Sequence, residues 1–259
     1  MNTSCLIGGT GFVGTTLKKQ HPFTAEYRSI NIQNIRAQHY DQIICAAAPA
    51  QKWLANKAPE ADRQNIEYLM AQLKTVSCDR FILISTVDVF NLPVGVDENT
   101  VIDESYLQPY GLHRRQLEKF VAHQFPKHLI VRLPGLVGPG LRKNIIFDFL
   151  NNNNVETIDS RAIFQFYPMV NLWWDIETAL KAELQLVHLT AQPISVAEVA
   201  ELGFRIPFSQ QQPGNPPIYD FRTRYSNLFG VTGAYQYDRQ DLLLAIRAYA
   251  QSEPQTKKG

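Results

Sequence analysis

Residues 5–17 read Cys-Leu-Ile-Gly-Gly-Thr-Gly-Phe-Val-Gly-Thr-Thr-Leu. The apolar run Cys5-Leu6-Ile7 stops at Gly8, and Gly11 and Gly14 follow at three-residue intervals. A helix-compatible segment then begins. The stretch therefore predicts a strand, a glycine turn and a helix, the phosphate-binding start of a βαβ unit. Each glycine has its own physical reason. Gly8 can take the positive φ of a tight turn. Gly11 lets the backbone approach a pyrophosphate, and Gly14 lets the helix pack closely on the strand. The helix N-terminus adds unpaired N–H groups and a partial positive charge. The spacing is Gly-x-x-Gly-x-x-Gly, not Gly-x-Gly-x-x-Gly. On this pattern alone a glycine-rich hairpin without a ligand stays open as the alternative.

The chain has 259 residues, enough for one large domain or one domain with a smaller attachment, and ample for a core. Its composition is that of an ordinary soluble globular protein. The formal net charge is +1, so there is no electrostatic case for nucleic acid or an anionic membrane as the main partner. Cys5, Cys45 and Cys78 are odd in number and widely spaced. They read as reduced thiols, with neither disulfides nor metal ligands expected. No basic-then-apolar leader opens the chain and no run of 18 apolar residues interrupts it, so a cytoplasmic protein is expected.

Along the chain, a short strand is expected within 24–28. Arg28 and Ser29 fall where a second strand of such a unit ends. A carboxylate there favours NAD, whereas a basic residue can meet the 2′-phosphate of NADP. The only nearby acid is Glu26, inside the strand, so NADP is preferred over NAD. A solvated surface Arg28 is the competing reading. Residues 41–50 read as a buried parallel strand running into small residues, Ala46, Ala47 and Ala48, which leave room for a dinucleotide or for tight helix packing. Residues 59–74 read as a helix: Pro59 suits its first turn, and Ile66, Leu69, Met70 and Leu73 recur at helical spacing. Residues 80–90 form the next strong strand, which delivers Ser85 and Thr86 to its C-terminal edge, where ligands sit in open α/β sheets. A helix over 109–124 follows, with Tyr110 and Arg114 four apart on one face. Residues 129–133 are another buried strand, and a turn-rich exit starts at Pro134.

After Gly140 the character changes. The four-Asn run 151–154 reads as a loop. The aromatic-rich stretch 164–174 reads as core or interface. Residues 184–189 read as a strand. Ser195 and Glu198 make a capping box, a Gln/Pro-rich loop spans 208–217, and a last amphipathic helix covers 242–249. The tail 251–259 is expected to fray.

Together these pieces resemble the extended short-chain dehydrogenases/reductases and their NAD-dependent epimerase/dehydratase relatives. The strand Ile84-Ser85-Thr86-Val87-Asp88-Val89-Phe90 looks like that group's Ser-Thr/Ser-x-x-Val-Tyr strand end. Tyr110-Gly111-x-x-Arg114-x-x-x-Glu118 looks like its Tyr-Gly-x-x-Lys-x-x-x-Glu helix. Arg132-Leu133-Pro134-x-x-Val137 resembles the segment after the next strand. The resemblance covers residues 3 to about 140 and is thin from 141 to 259. It implies an α/β Rossmann fold, a doubly wound parallel sheet with a smaller C-terminal substrate-binding lobe. The domains would be residues 1–140, binding the dinucleotide, and 141–259, with some elements returning to the first.

The resemblance also assigns roles. Tyr110 would be the acid/base, Thr86 the hydroxyl partner, and Arg114 would stand where the family has lysine. The cofactor, NADP or NAD, would be held by Gly8, Thr10, Gly11, Phe12, Val13, Gly14, Arg28, Ser29, Ala46, Ala47, Ala48, Ser85, Tyr110, Arg114 and Pro134. An ordinary tyrosine has a pKa near 10, so a neighbouring cation is expected to stabilise its phenolate. Arginine is planar and larger than lysine's ammonium, so it is not a simple replacement. His113 is expected on the helix surface. The sugar-nucleotide 4,6-dehydratases of this family follow the Thr with an Asp-Glu pair. Here Val87 and Asp88 stand there, which argues against dehydration and leaves reduction, oxidation or epimerisation of a carbonyl or alcohol carbon. A non-catalytic dinucleotide-binding protein, a redox sensor or scaffold, is the alternative. The substrate would be a small molecule such as a nucleotide sugar. Arg222 and Arg224 are candidates to clamp its diphosphate, and paired surface arginines are the plainer reading. The helices over 59–74 and 109–124 are candidates for pairing in a homodimer, although packing on the sheet explains their apolar positions equally.

Overall fold

The computed structural model describes residues 3–256, so the last three residues of the expected frayed tail, 257–259, lie outside the described residues. Six strands form the central sheet: β1 (Ser4–Ile7), β2 (Ala25–Tyr27), β3 (His39–Cys45), β4 (Ser77–Thr86), β5 (His128–Leu133) and β6 (Leu186–His188). Their order across the sheet is β6-β5-β4-β3-β1-β2. The pairs β1–β2, β1–β3 and β3–β4 are parallel, and Ile7 sits opposite both Tyr27 and Cys45. The chain leaves β1 to one side for β2 and then crosses to the other side for β3. That reversal is the switch point of a doubly wound sheet. The fold is an α/β Rossmann fold.

The strands are apolar because both faces are covered. Cys5, Ile7, Ile43, Cys45, Phe81 and Leu83 are buried in one cluster with Ile66, Leu69 and Leu73 of one helix and Leu117 and Val121 of another. The helices are α1 (Phe12–Gln20), α2 (Lys52–Lys57), α3 (Pro59–Leu73), α4 (Pro109–Gln124), α5 (Ile145–Asn151) and α6 (Leu172–Lys181). Pro109 and Pro59 both open their helices, where a missing N–H costs nothing. The short α2 has no sequence signal. It has no side-chain cap of its own, but its Asn56 side chain caps the N-terminus of α4 by accepting from the Tyr110 N–H at 3.0 Å. Tertiary contact, not propensity, supports it.

The chain divides into two compact units. One runs up to Asn91 and takes in Asn99–Arg132 and Leu172–Val187. The other holds Leu92–Glu98, Leu133–Asn171 and the described residues from His188 onwards. The second unit contains three two-stranded pieces, α5 and a final helix over Arg239–Ser252. Buried Phe166 and Tyr167 belong to its core. The four-Asn run ends α5: Asn152 and Asn154 take positive φ of 49° and 50°, a conformation asparagine tolerates. Ser195 and Glu198 form the expected capping box. Within this unit, buried Gln165 donates to the Ala191 and Phe221 carbonyls at 2.6 and 2.8 Å and so ties three segments together. Among the described residues, no helix is long and apolar enough to cross a membrane.

Candidate active site

The C-terminal edge of the sheet carries the glycine turn. Gly8 has a φ of +93°, and its N–H donates to the Tyr27 carbonyl at 2.8 Å. A Cβ on Gly8 would lie 2.5 Å from the Ala46 carbonyl oxygen, and one on Gly14 only 2.1 Å from the Gly8 carbonyl oxygen. These two glycines are therefore demanded by close backbone approach. Gly11 differs. It is exposed, and a Cβ there would have only the Gly8 carbonyl oxygen nearby, at 3.8 Å. It is also the N-cap of α1, supplies no capping side chain, and the first turn holds no acid. The leading N–H groups of α1 thus keep their appetite for an anion. Thr10 lies exposed in the same turn, with Phe12 and Val13 half-buried behind it.

Ala46, Ala47 and Ala48 follow β3 at the switch point and are half-buried. Arg28 and Ser29 follow β2 and are exposed, with the Arg28 N–H donating to Asn31 Oδ1 at 2.7 Å. Glu26 is held by Lys18 at 2.7 Å, beside Gly9.

The strand end that delivers Ser85 and Thr86 gives the two hydroxyls different environments. Ser85 is buried and donates to Glu118 Oε1 at 2.6 Å. Glu118 is itself buried and ion-paired with Arg132 at 2.7 Å and Arg115 at 2.9 Å. Ser85 is thus bound into an internal polar network. Thr86 is half-buried and caps a single turn over Val87–Val89: its Oγ1 accepts from the Asp88 N–H at 3.1 Å and donates to Asp88 Oδ2 at 3.2 Å. Asp88 Oδ1 in turn holds Lys52 Nζ at 2.6 Å.

Tyr110 sits in the first turn of α4 and is buried, 8% exposed. The next residue must be glycine, because a Cβ on Gly111 would lie 2.0 Å from the Asp88 carbonyl oxygen. That contact seats the start of α4 directly on the end of β4. The guanidinium carbon of Arg114 lies 3.9 Å from the Tyr110 ring centroid. Burial raises the Tyr110 phenol above its ordinary pKa. Arg114 and Lys52 pull it down, and Asp88 and Asp62 push it up. The expected lowering by a neighbouring cation is therefore outweighed by desolvation.

Arg114 lowers the phenol by less than burial raises it, and its own contacts are fixed. It is 2% exposed and forked onto Asp62, with Nη2 donating to Oδ1 at 2.9 Å and Nη1 to Oδ2. Nη2 also donates to the Pro49 carbonyl, and Nη1 to the Tyr110 carbonyl at 3.2 Å. Its Nε is buried without a hydrogen-bond partner. His113, expected on the surface, is buried as well, with Nδ1 2.7 Å from Asp62 Oδ2. The reason is that α4 turns this face towards α3, where Asp62 gathers both basic side chains. Asp62 carries no local sequence signal, since its partners are 51 and 52 residues away.

The remaining candidates lie in the second unit. Pro134 is buried directly after β5. Arg222 and Arg224 flank buried Thr223 and share an exposed face. Arg222 is committed to Asp220, with both Nε contacts at 3.0 Å, and Tyr235 donates to the same carboxylate at 2.5 Å. Arg224 is exposed, and its N–H donates to Glu98 Oε2 at 2.9 Å. Among the described residues, no three His, Cys, Asp or Glu side chains are grouped to hold a metal.

No protein-family model matches the chain. A search of curated proteins found no match. Solved structures do match in fold. A dTDP-4-dehydrorhamnose reductase from Bacillus anthracis, in complex with NADP, superposes with a TM-score of 0.73 at 16% identity, over 98% of this chain and 100% of that one. A UDP-glucose 4-epimerase from Thermotoga maritima with UDP-glucose gives 0.72 at 12% identity, over 97% and 98%. A dTDP-glucose 4,6-dehydratase from Bacillus anthracis in complex with NAD gives 0.64 at 13% identity, over 98% of each. The chain shares the fold of these solved structures along essentially its whole length.

Proposed function

We propose that the protein is an NAD(P)-dependent oxidoreductase or epimerase acting on a carbonyl or hydroxyl carbon, with a nucleotide sugar as substrate class and NADP as preferred cofactor. The observation that carries this reading is the open Gly11 at the uncapped start of α1, on the switch point of the sheet. A pyrophosphate fits there because the backbone can be approached and the helix N–H groups need an acceptor. Gly8, Thr10, Gly14, Phe12 and Val13 would shape that cradle, Ala46–Ala48 would flank it, and Arg28 with Ser29 would meet a 2′-phosphate. The neighbouring folds determined with NADP and NAD support the same cofactor class.

When bound, the nicotinamide supplies or accepts the hydride. The chain's part is the proton. Tyr110 Oη would give a proton to, or take one from, the substrate oxygen, and the Thr86 hydroxyl would hydrogen-bond that oxygen. Burial raises the phenol's pKa, so its proton transfer depends on the charges placed around it. One observation favours the second reading, a non-catalytic dinucleotide-binding protein. Arg114, at the family's lysine position, is locked on Asp62 and the Pro49 carbonyl and is not free to hold a ribose.

Calorimetric titration with NADPH and NADH side by side tests the cofactor claim, with Gly11→Asp as control. NADPH binding that the substitution destroys supports the cradle. If neither nucleotide binds, the reading is lost. Hydride exchange over a nucleotide-sugar panel then separates the two readings: turnover abolished by Tyr110→Phe with cofactor affinity kept supports the enzyme. Binding without exchange supports the sensor or scaffold.

A further inference from the structure

The Tyr110 site contains a charged chain that the motif does not include. Lys52 of α2 reaches Asp88 at 2.6 Å, and Asp88 is fixed at its other oxygen by the Thr86 hydroxyl at 3.2 Å. The Asp88 backbone abuts Gly111, beside Tyr110, and Asn56 on the same short helix as Lys52 caps the Tyr110 N–H. Two ion pairs therefore act on the tyrosine, Arg114–Asp62 from α4 and α3, and Lys52–Asp88 from α2 and the end of β4. They differ in freedom. Arg114 and Asp62 are buried, whereas the Lys52 side chain is 47% exposed and that of Asp88 is 19% exposed.

A buried phenol can lose its proton only if positive charge compensates the phenolate. Arg114 also lowers the phenol, but it is held by a bidentate carboxylate and cannot move without breaking four contacts. Asp88, like Asp62, opposes phenolate formation, and Lys52 offsets the Asp88 charge. We propose that Lys52, seated on Asp88, is a positioning residue of this site, supplying the adjustable positive charge that lets Tyr110 exchange its proton. The inference rests on Tyr110 being the acid/base of the proposed reaction, but its physical core does not need a substrate.

The test places 3,5-difluorotyrosine at position 110 and follows its titration by fluorine NMR. The fluorines lower the phenol's midpoint, and no cofactor or substrate is added. The groups that act on this phenol are Lys52, Asp88, Asp62 and Arg114, from α2, the end of β4, α3 and α4. Lys52→Met is expected to move the midpoint up, because Asp88 loses its counter-charge. Lys52→Arg is expected to return it towards the parent value. Asp88→Asn is expected to move it down. Circular dichroism and the thermal midpoint check that each variant is folded. A Lys52→Met midpoint equal to that of the parent overturns the proposal. So does a Lys52→Arg midpoint displaced as far as that of Lys52→Met. Failure of the oxidoreductase reading shows in the calorimetry and leaves this titration unaffected, so the two failures are distinguishable.

Discussion

Asp62→Ala is the perturbation that most directly probes the architecture of the site. Asp62 is 5% exposed and accepts three charge-assisted bonds, two from Arg114 and one from His113. Removing the carboxylate leaves the Arg114 charge buried with only the Pro49 and Tyr110 carbonyls as acceptors, and its Nε already lacks one. Breaking one side of a buried ion pair costs about 3–5 kcal/mol, because the surviving charge stays desolvated and uncompensated. For a chain of this size each kcal/mol moves the thermal midpoint by about 2–4 °C, so a fall of roughly 6–20 °C is expected. Scanning calorimetry of the unliganded protein reads it directly. The double variant Asp62→Leu/Arg114→Leu should recover much of the loss, since the orphaned charge is gone and the site is refilled with apolar volume. A loss of under about 1 kcal/mol for Asp62→Ala is what an exposed pair shows. That result would refute the clamp and return Arg114 to the pool of free cations beside Tyr110.

Two further outcomes follow from burial and close approach. Gly14→Ala should destabilise the protein by about 1–3 kcal/mol or more, since its methyl meets the Gly8 carbonyl oxygen at 2.1 Å, whereas Gly11→Ala meets no clash and should cost only the smaller N-cap preference of glycine over alanine; equal effects would remove the distinction drawn between the two glycines. The thiols of Cys5 and Cys78 are pushed up to about 12 and that of Cys45 to about 11, chiefly by burial. Their folded values lie above the ordinary 9.0, so this contribution to stability is complete below pH 9 and is lost as the pH rises through about 11–12. At pH 8 the folded protein should react with a thiol reagent far more slowly than the unfolded chain, and rapid labelling of all three cysteines in the native state would contradict this.

Much of the fold is written in local sequence. The apolar runs of β1, β3, β4 and β5 are bounded by glycine, small or polar residues, and two helices open on proline, so the order of elements follows from period and punctuation alone. Gly8, Gly14 and Gly111 are also legible, because only glycine fits where two backbones nearly touch. What side chains separated by 30 to 50 residues do to one another is not legible. Ser85 and Thr86 are neighbours in sequence, yet one is bound to Glu118, 33 residues on, and the other to Asp88, two residues on. Arg114 reads as a cation facing Tyr110, but the packing of α4 on α3 delivers it to Asp62 and buries His113 with it. Lys52 reads as one charge in an unremarkable segment until α2 folds against Asp88. Sequence determines which groups are present and on which element, because those depend on short-range geometry. Tertiary structure decides which charges are paired and which phenol is desolvated, because Coulomb energy and burial depend on distances in space that the chain order does not contain.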